Sequence, residues 1–403
     1  MSATAATAQA ESMVRAASCD DGHDAPASGL ARFSTWEFWP AWAVYAPLVP
    51  YLAWLGLRHG GLTVCTACNP SIPLGGIVGE SKSEILSLLP RQWVAPFGVI
   101  EPGAAAQREA ALARFIGEQR RGWPVVLKPD RGERGEGVRI VRGAGEAAEY
   151  LAARRDRVIA QAYHPGPFEA GVFYVRHPSA ERGFLFSITD KRFPSVVGDG
   201  RATLAELVDA HPRFRRQRTA HLAALGRRAA EVPALGERVA LTRIGNHCRG
   251  TMFLDGRALI TPALEAAFER IVSASRGVNF GRFDVRYADP HEFAAGRGFW
   301  IIEFNGLLSE STNMYDPAFG YWRAQRVLRQ QWRLAFEVGR GNIEHGAGAA
   351  SLMRVLREIG RERRRRAELR RETRSGESYG EPGPRTGSVT LPPPSPYGQP
   401  DRH

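Results

Sequence analysis

Val125-Val-Leu-Lys128-Pro-Asp-Arg-Gly132-Glu-Arg-Gly135-Glu-Gly137-Val-Arg-Ile-Val141 reads as two β-branched strands joined by a loop with three glycines, with a lysine closing the first strand. Glycine lets backbone amides approach a phosphate with no Cβ in the way, and the lysine adds charge. The loop carries neither G-x-x-x-x-G-K-S/T nor G-x-G-x-x-G, so it is neither a Walker A loop nor a Rossmann fingerprint. A glycine-rich hairpin alone is more often a plain turn, so the surrounding sequence has to decide.

Downstream, Val158-Ile-Ala-Gln161-Ala-Tyr163-His164-Pro-Gly166-Pro-Phe-Glu169-Ala-Gly-Val-Phe-Tyr-Val175 reads as strand, turn, glutamate and strand. A strand end offers backbone groups to a flat heterocycle, and a nearby carboxylate accepts from ribose hydroxyls. Phe184-Leu-Phe-Ser-Ile-Thr-Asp190-Lys191-Arg192 is a strand ending in a cationic cluster. Further on, Gly281-Arg282-Phe-Asp284-Val285 and Trp300-Ile-Ile-Glu303-Phe-Asn305 read as two more strands. Period two puts Glu303 and Asn305 on one face. Two carboxylates and an amide oxygen are hard ligands suited to Mg²⁺ shared with substrate phosphates. An isolated Asp or Glu is usually a salt bridge; an acid and an amide leaving one face of an apolar strand is harder to explain that way.

From about residue 76 the pattern is mixed. Short β-rich runs at 125–127, 138–141, 158–160, 172–175 and 184–188 surround a helix near 144–155. Helices are expected at 204–225 and 262–275, and strands at 280–287 and 299–304. The close spacing of strands predicts antiparallel pairing, hence an α+β fold.

The chain has 403 residues and a net charge of +12 carried by arginine, with lysine only at Lys82, Lys128 and Lys191. A GC-rich genome, which favours arginine codons, is the plain explanation for such a bias; against it the three lysines are informative, since an ammonium is a compact charge and guanidinium a planar fork. Four cysteines, of which Cys65 and Cys68 form one CxxC without a second pair, predict a reducing compartment and no zinc site. Residues 1–30 and 375–403 read as disordered. Between residues 31 and 75 lies an aromatic, apolar segment, and its stretch from Trp36 to Leu57 is about the length that crosses a bilayer, although Pro40, Pro47 and Pro50 oppose one straight helix. Spanning the membrane, lying on it and packing inside the protein all stay open. Residues 354–374 hold ten arginines against four glutamates. They predict a basic helix (within 345–374) that is a solvated face or meets anionic lipid; with no interleaved aromatics, nucleic acid is not expected.

Together, the lysine with its Gly-rich hairpin, the hinge strand with its glutamate, the strand-end lysine, R-x-D and E-x-N resemble the ATP-grasp superfamily, in its D-alanine–D-alanine ligase-like branch. The resemblance runs from about Ser81 to Met314. Gly198-Asp-Gly-Arg-Ala-Thr-Leu-Ala-Glu-Leu207 and Arg243-Ile-Gly-Asn246-His-Cys-Arg-Gly250 also look like segments of cyanophycin-synthetase and glutathione-synthetase modules. It implies an ATP-grasp domain at 122–340 behind a short region at 76–121, in which ATP is clamped between antiparallel sheets. It implies that Lys128 contacts the α/β-phosphates, that Gly132, Gly135 and Gly137 close over them, and that Lys82 opens the preceding helix. Gln161 and Tyr163 would meet adenine and Glu169 the ribose, although Gln161 stands where the branch often has an acid. Lys191 and Arg282 would act on the transferring phosphoryl group, and Asp284, Glu303 and Asn305 would hold Mg²⁺ or Mn²⁺. The activity implied is ATP-dependent joining of a carboxylate to an amine (or thiol) through an acylphosphate, in the cytoplasm or at the inner face of the membrane. Phosphoryl transfer to a hydroxyl, and nucleotide binding without catalysis at a membrane, are the competing readings.

Overall fold

A computed structural model describes Trp36, Trp39 and residues 41–376, apart from 133–134 and 243–250. The expected disordered segment 1–30, the segment 243–250 with Asn246, and the tail from 377 lie outside the described residues.

The aromatic segment is broken by its prolines into helix α1 (Ala41–Tyr45), a 3₁₀ turn (Ala46–Leu48) and helix α2 (Val49–His59). Pro47 and Pro50 sit in first turns, where a missing amide donor costs nothing. No helix among the described residues is long and apolar enough to cross a membrane. Val44, Leu48 and Leu55 are instead buried in the protein. Trp36 donates its indole N–H to the Phe319 carbonyl at 2.9 Å. Cys65 and Cys68 are buried too; burial pushes the Cys65 thiol up to about 12 and that of Cys68 well above its usual range. The CxxC is core packing.

Helix α3 (Lys82–Ser87), capped by Ser81, leads to strand β1 (Phe97–Ile100) and helix α4 (Ala105–Gln119). Strands β2 (Val125–Pro129) and β3 (Arg139–Val141), helix α5 (Ala144–Ala152) and strand β4 (Val158–Ala162) follow. They make a four-stranded antiparallel sheet in the order β1-β4-β2-β3, filled by Leu112, Phe115, Leu127, Tyr150 and Leu151. The sheet therefore begins at residue 97, ahead of the expected boundary at 122. Gly98 lies where α4 presses on β1: a Cβ there would stand 2.9 Å from the Phe115 ring.

Strands β5 (Phe168–Val175) and β6 (Phe184–Arg192) open the second sheet. An insertion follows: strand β7 (Ser195–Val197), helices α6 (Leu204–Ala210), α7 (Pro212–Arg216) and α8 (Arg218–Leu225), and strand β8 (Arg238–Ala240). The expected helix at 204–225 is thus cut in three, at Pro212 and Gln217. Strand β9 (Met252–Asp255), helix α9 (Pro262–Ser273), strand β10 (Phe280–Tyr287), helix α10 (Pro290–Ala294) and strand β11 (Phe299–Asn305) complete the sheet, with antiparallel order β11-β10-β5-β6-β9. Its faces alternate, with register slips between Phe173 and Tyr174 against β6 and between Asp284 and Val285 against β11. Val172, Tyr174, Ile188, Phe283, Val285 and Tyr287 pack one face onto α9 through Leu264, Phe268 and Ile271. At one end of the other face Phe173, Val175 and Phe280 meet Leu55 and Phe336, the latter from helix α11 (Tyr321–Glu344); the rest of that face is polar. The architecture is α+β with two large antiparallel sheets, and β7 and β8 pair as a separate two-stranded antiparallel ribbon within the insertion.

The described residues up to Gly360 form one compact unit, and those from Arg361 onward belong to a second. Helix α12 spans Leu352–Gly376, and in its second part Arg365 pairs with Glu362 at 2.7 Å.

Candidate active site

Antiparallel register assembles the polar face. Asp284 on β10 stands opposite Glu303 on β11 and Gly171 on β5; Arg282 stands opposite Asn305. Glu169 on β5 faces both Lys191 on β6 and Arg286 on β10. Directly opposite residues share a face, so the register alone brings these groups together. Gly171 is required by crowding: a Cβ there would lie 2.8 Å from Arg282 Cδ and 3.2 Å from Asp284 Oδ1.

The groups are ion-paired and almost all buried. Lys191 Nζ lies 2.9 Å from Glu169 Oε1 and 3.0 Å from Asp284 Oδ1. Arg286 Nε holds the other oxygen of Glu169 at 3.0 Å. Arg282 Nε lies 3.0 Å from Asp284 Oδ1, and its Nη1 donates to the Glu310 carbonyl at 2.9 Å. Asn305 donates its Nδ2 to Asp284 Oδ2 at 3.4 Å. Burial opposes the charge on Asp284, yet Arg282 and Lys191 outweigh it and hold the carboxyl below its usual range. Burial likewise opposes the charge on Lys191, and Asp284 and Glu169 together raise its pKa.

From the other sheet, Lys128 crosses the gap. Its Nζ donates to Gln161 Oε1 and to the Ile302 carbonyl, each at 2.9 Å. That carbonyl is available because β10 and β11 slip register between Asp284 and Val285, leaving Ile302 as the extra residue of a bulge. Lys128 is pulled down to about 8 by burial, with Glu303 working in the opposite direction. Lys82 completes the ring, 2.8 Å from Glu303 Oε1 and donating to the Gly132 carbonyl at 2.6 Å. Burial would raise the Glu303 carboxyl, but Lys82 and Lys128 keep it low. All three lysines of the chain thus converge on the Asp284–Glu303 pair.

Several placements differ from expectation. Glu169 sits inside a strand with both oxygens taken by Lys191 and Arg286, not at an open strand end. Gln161 spends both ends of its amide on Lys128 and Ile302 O. Tyr163 lines a cavity of about 260 Å³ with Phe115, Trp123 and Val125, which none of the lysines or carboxylates above lines. The two residues expected to meet one adenine ring therefore face different spaces. Gly132, Gly135 and Gly137 have φ of 159°, 69° and 71°, so the last two occupy left-handed conformations that favour glycine.

Three participants were missed. Arg286 lies two residues beyond Asp284 on the same face, and the period-two rule that grouped Glu303 with Asn305 would have found it. Asp130 receives the Ser83 amide at 2.8 Å and the Ser81 hydroxyl at 2.7 Å, which fixes α3 and hence Lys82. Glu310, whose side chain accepts from Tyr45 and Tyr315, carried no local signal.

Among the described residues no group of three or more His, Cys, Asp and Glu side chains could hold a metal alone. Two carboxylates and one amide on adjacent strands are the donor set present, and hard oxygens in that number suit Mg²⁺ completed by phosphate oxygens and water. A half-turn of the Asn305 amide would bring its oxygen to the same side.

No family model matches the chain, and no curated protein does. Solved structures similar to it include a bifunctional glutathione synthetase from Pasteurella multocida, at 18% identity over 62% of this chain and 35% of that one, with a TM-score of 0.36. D-cycloserine synthetase DcsG matches at 15% over 72% and 81%, TM-score 0.36. VanG D-Ala:D-Ser ligase from Enterococcus faecalis matches at 13% over 69% and 68%, TM-score 0.35. The chain spans about a third of the glutathione synthetase. At these scores the likenesses assign no role to any residue, which leaves the two-sheet α+β architecture and the geometry of the site to carry the reading.

Proposed function

We propose that this cleft binds Mg²⁺-ATP and transfers the γ-phosphoryl group to a carboxylate, after which an amine displaces phosphate to give an amide, ADP and inorganic phosphate. One observation carries the reading: Lys82, Lys128 and Lys191 meet around the facing pair Asp284 and Glu303.

Asp284 and Glu303, with Asn305, would hold Mg²⁺, which when bound neutralises charge on the phosphate oxygens. In the structure these carboxylates are neutralised by lysines instead. Nucleotide binding is then an exchange of partners, lysines to phosphates and carboxylates to the metal, with little uncompensated charge at any stage.

Lys128 spans the two sheets and is set to take the α/β-phosphates. Lys82, tied to Gly132 O, couples the glycine-rich loop to the same space. Arg282 is fixed by Asp284 and Glu310 O, and Lys191 by Glu169 and Asp284, so both are preorganised for charge developing on the transferring phosphoryl group. Glu169 orients Lys191 and Arg286. Holding the carboxylate in line with the phosphate would supply much of the acceleration.

The test is ADP and phosphate release by the purified chain against amino acids, short peptides and amino-bearing headgroups, with mass spectrometry of the product. The reading expects acceptor-dependent ADP formation and an amide product. It also expects Lys128→Ala and Glu303→Ala to lose at least about a hundredfold in turnover while staying folded, by analogy with removal of one positioned donor. Wild-type turnover in either variant contradicts it; ADP release with a phosphorylated hydroxyl product would redirect it to a phosphotransferase.

A further inference from the structure

The outward side of α1 and α2 carries no charged residue from position 41 to 57. Trp42 is 72% exposed, Val49 63%, Trp54 48% and Leu57 85%, with Tyr45 beside them at 39%. A surface helix normally turns polar residues outward; here Val44, Leu48 and Leu55 already serve the core, so both sides are apolar. An exposed apolar stripe of this extent marks a surface that meets something.

Its rim is cationic. Arg58, at the end of α2, lies 5.5 Å over the Trp54 ring. Helix α11 packs beside both helices: Gln325 Nε2 donates to Val44 O at 2.8 Å and Tyr321 to Ala43 O at 3.0 Å on α1, while Phe336 meets Leu55 of α2. Along its exposed side run Trp322, Arg326, Arg329, Arg333 and Arg340, at spacings of four, three, four and seven, which is one helical stripe. Arg340 borders α2 directly, since a Cβ on Gly60 would lie 3.8 Å from its Nη1. Arg333 and Arg340 are paired at the surface with Glu337 and Glu344; Arg326 and Arg329 have no ion-pair partner among the described residues.

We propose that this face docks onto an anionic lipid bilayer, lying in the headgroup layer without crossing it. The chemistry matches on both counts. Tryptophan and tyrosine rings are amphipathic and settle at headgroup depth. A ring of arginines beside an apolar helix adds the second signal that stable attachment to phosphate-rich membranes needs. Tyr45 turns its hydroxyl inward to Glu310, whose backbone carbonyl accepts from Arg282, so the docking face and the wall of the cleft share one loop.

The experiment is co-sedimentation of the full chain with phosphatidylcholine vesicles, with and without phosphatidylglycerol as about a third of the lipid. Binding is expected to be at least tenfold tighter to the anionic vesicles and to weaken with salt. Trp54→Ser with Leu57→Ser should lose at least tenfold of that binding while every arginine, including those of α12, stays in place. Retained binding in this variant would mean that arginines alone suffice, and would overturn the proposal. Trp42→Phe, Trp54→Phe and Trp322→Phe together keep the apolar bulk; this variant should still bind but lose most of the fluorescence quenching by bromine-labelled lipid, and unchanged quenching would place this face away from the bilayer. If the Ser variant instead converts a dimer to a monomer without vesicles, the face belongs to a second copy and the bilayer proposal fails.

Discussion

Lys128 concentrates the physics of the site in one side chain. It gives up its hydration to sit among Gln161, Ile302 O and, at longer range, Glu303, and burial wins, bringing its pKa to about 8. Its charged fraction therefore falls as pH rises through about 8, in the range where phosphate binding needs it. Measured as kcat/KM for ATP, which reports the free enzyme, activity should drop on the alkaline side with a midpoint near 8. Lys128→Arg, which cannot lose its proton there, should remove that limb while lowering the plateau. The linkage runs the other way for stability. With a folded pKa of about 8 against an ordinary 10.5, the unfolded chain binds more protons between them, so this residue's contribution to stability rises across that window. A flat profile in the wild type would mean that Lys128 does not meet the phosphates.

Among the elements, β5, β10 and β11 do the positioning, and Gly171 is the point where they leave no slack. Gly171→Ala should cost at least about tenfold in kcat/KM by displacing Arg282 and Asp284, and about 1–3 kcal/mol of stability by overpacking. Steady-state kinetics and urea unfolding on the same sample separate the two effects; unchanged kinetics would show that the pair has room to move. These strands were legible because period-two alternation is local: Glu303 and Asn305 announce a shared face two residues apart, while Asp284 joins them only through the register of β10 on β11. The bulge at Ile302 was not, because a one-residue slip depends on the partner strand. Glu169 misled for a related reason: its sequence neighbours place it next to a turn, while its partners Lys191 and Arg286 come from two other strands. Residues 204–225 read as one helix by composition, and only the breaks at Pro212 and Gln217 divide it.

Across the whole molecule, the aromatic N-terminal segment is where the sequence was least decisive. Buried Leu55 and exposed Leu57 look alike in one dimension; what separates them is α11, more than 260 residues on. Since Leu55 is fully buried against Val64 and Phe336, Leu55→Ala should cost about 2–5 kcal/mol, read as a lower urea midpoint with an unchanged slope. A negligible loss would show that α2 is an appendage to the fold.

The central claim is that a metal-bound triphosphate sits between the lysines and the Asp284–Glu303 pair. Mn²⁺ can report on it directly, by electron paramagnetic resonance titration of the purified chain with and without ATP. The account predicts that bound Mn²⁺ appears only with ATP present, and that Glu303→Gln and Asp284→Asn each weaken it at least about tenfold. Mn²⁺ binding that ignores the nucleotide, or that survives both substitutions unchanged, would contradict it.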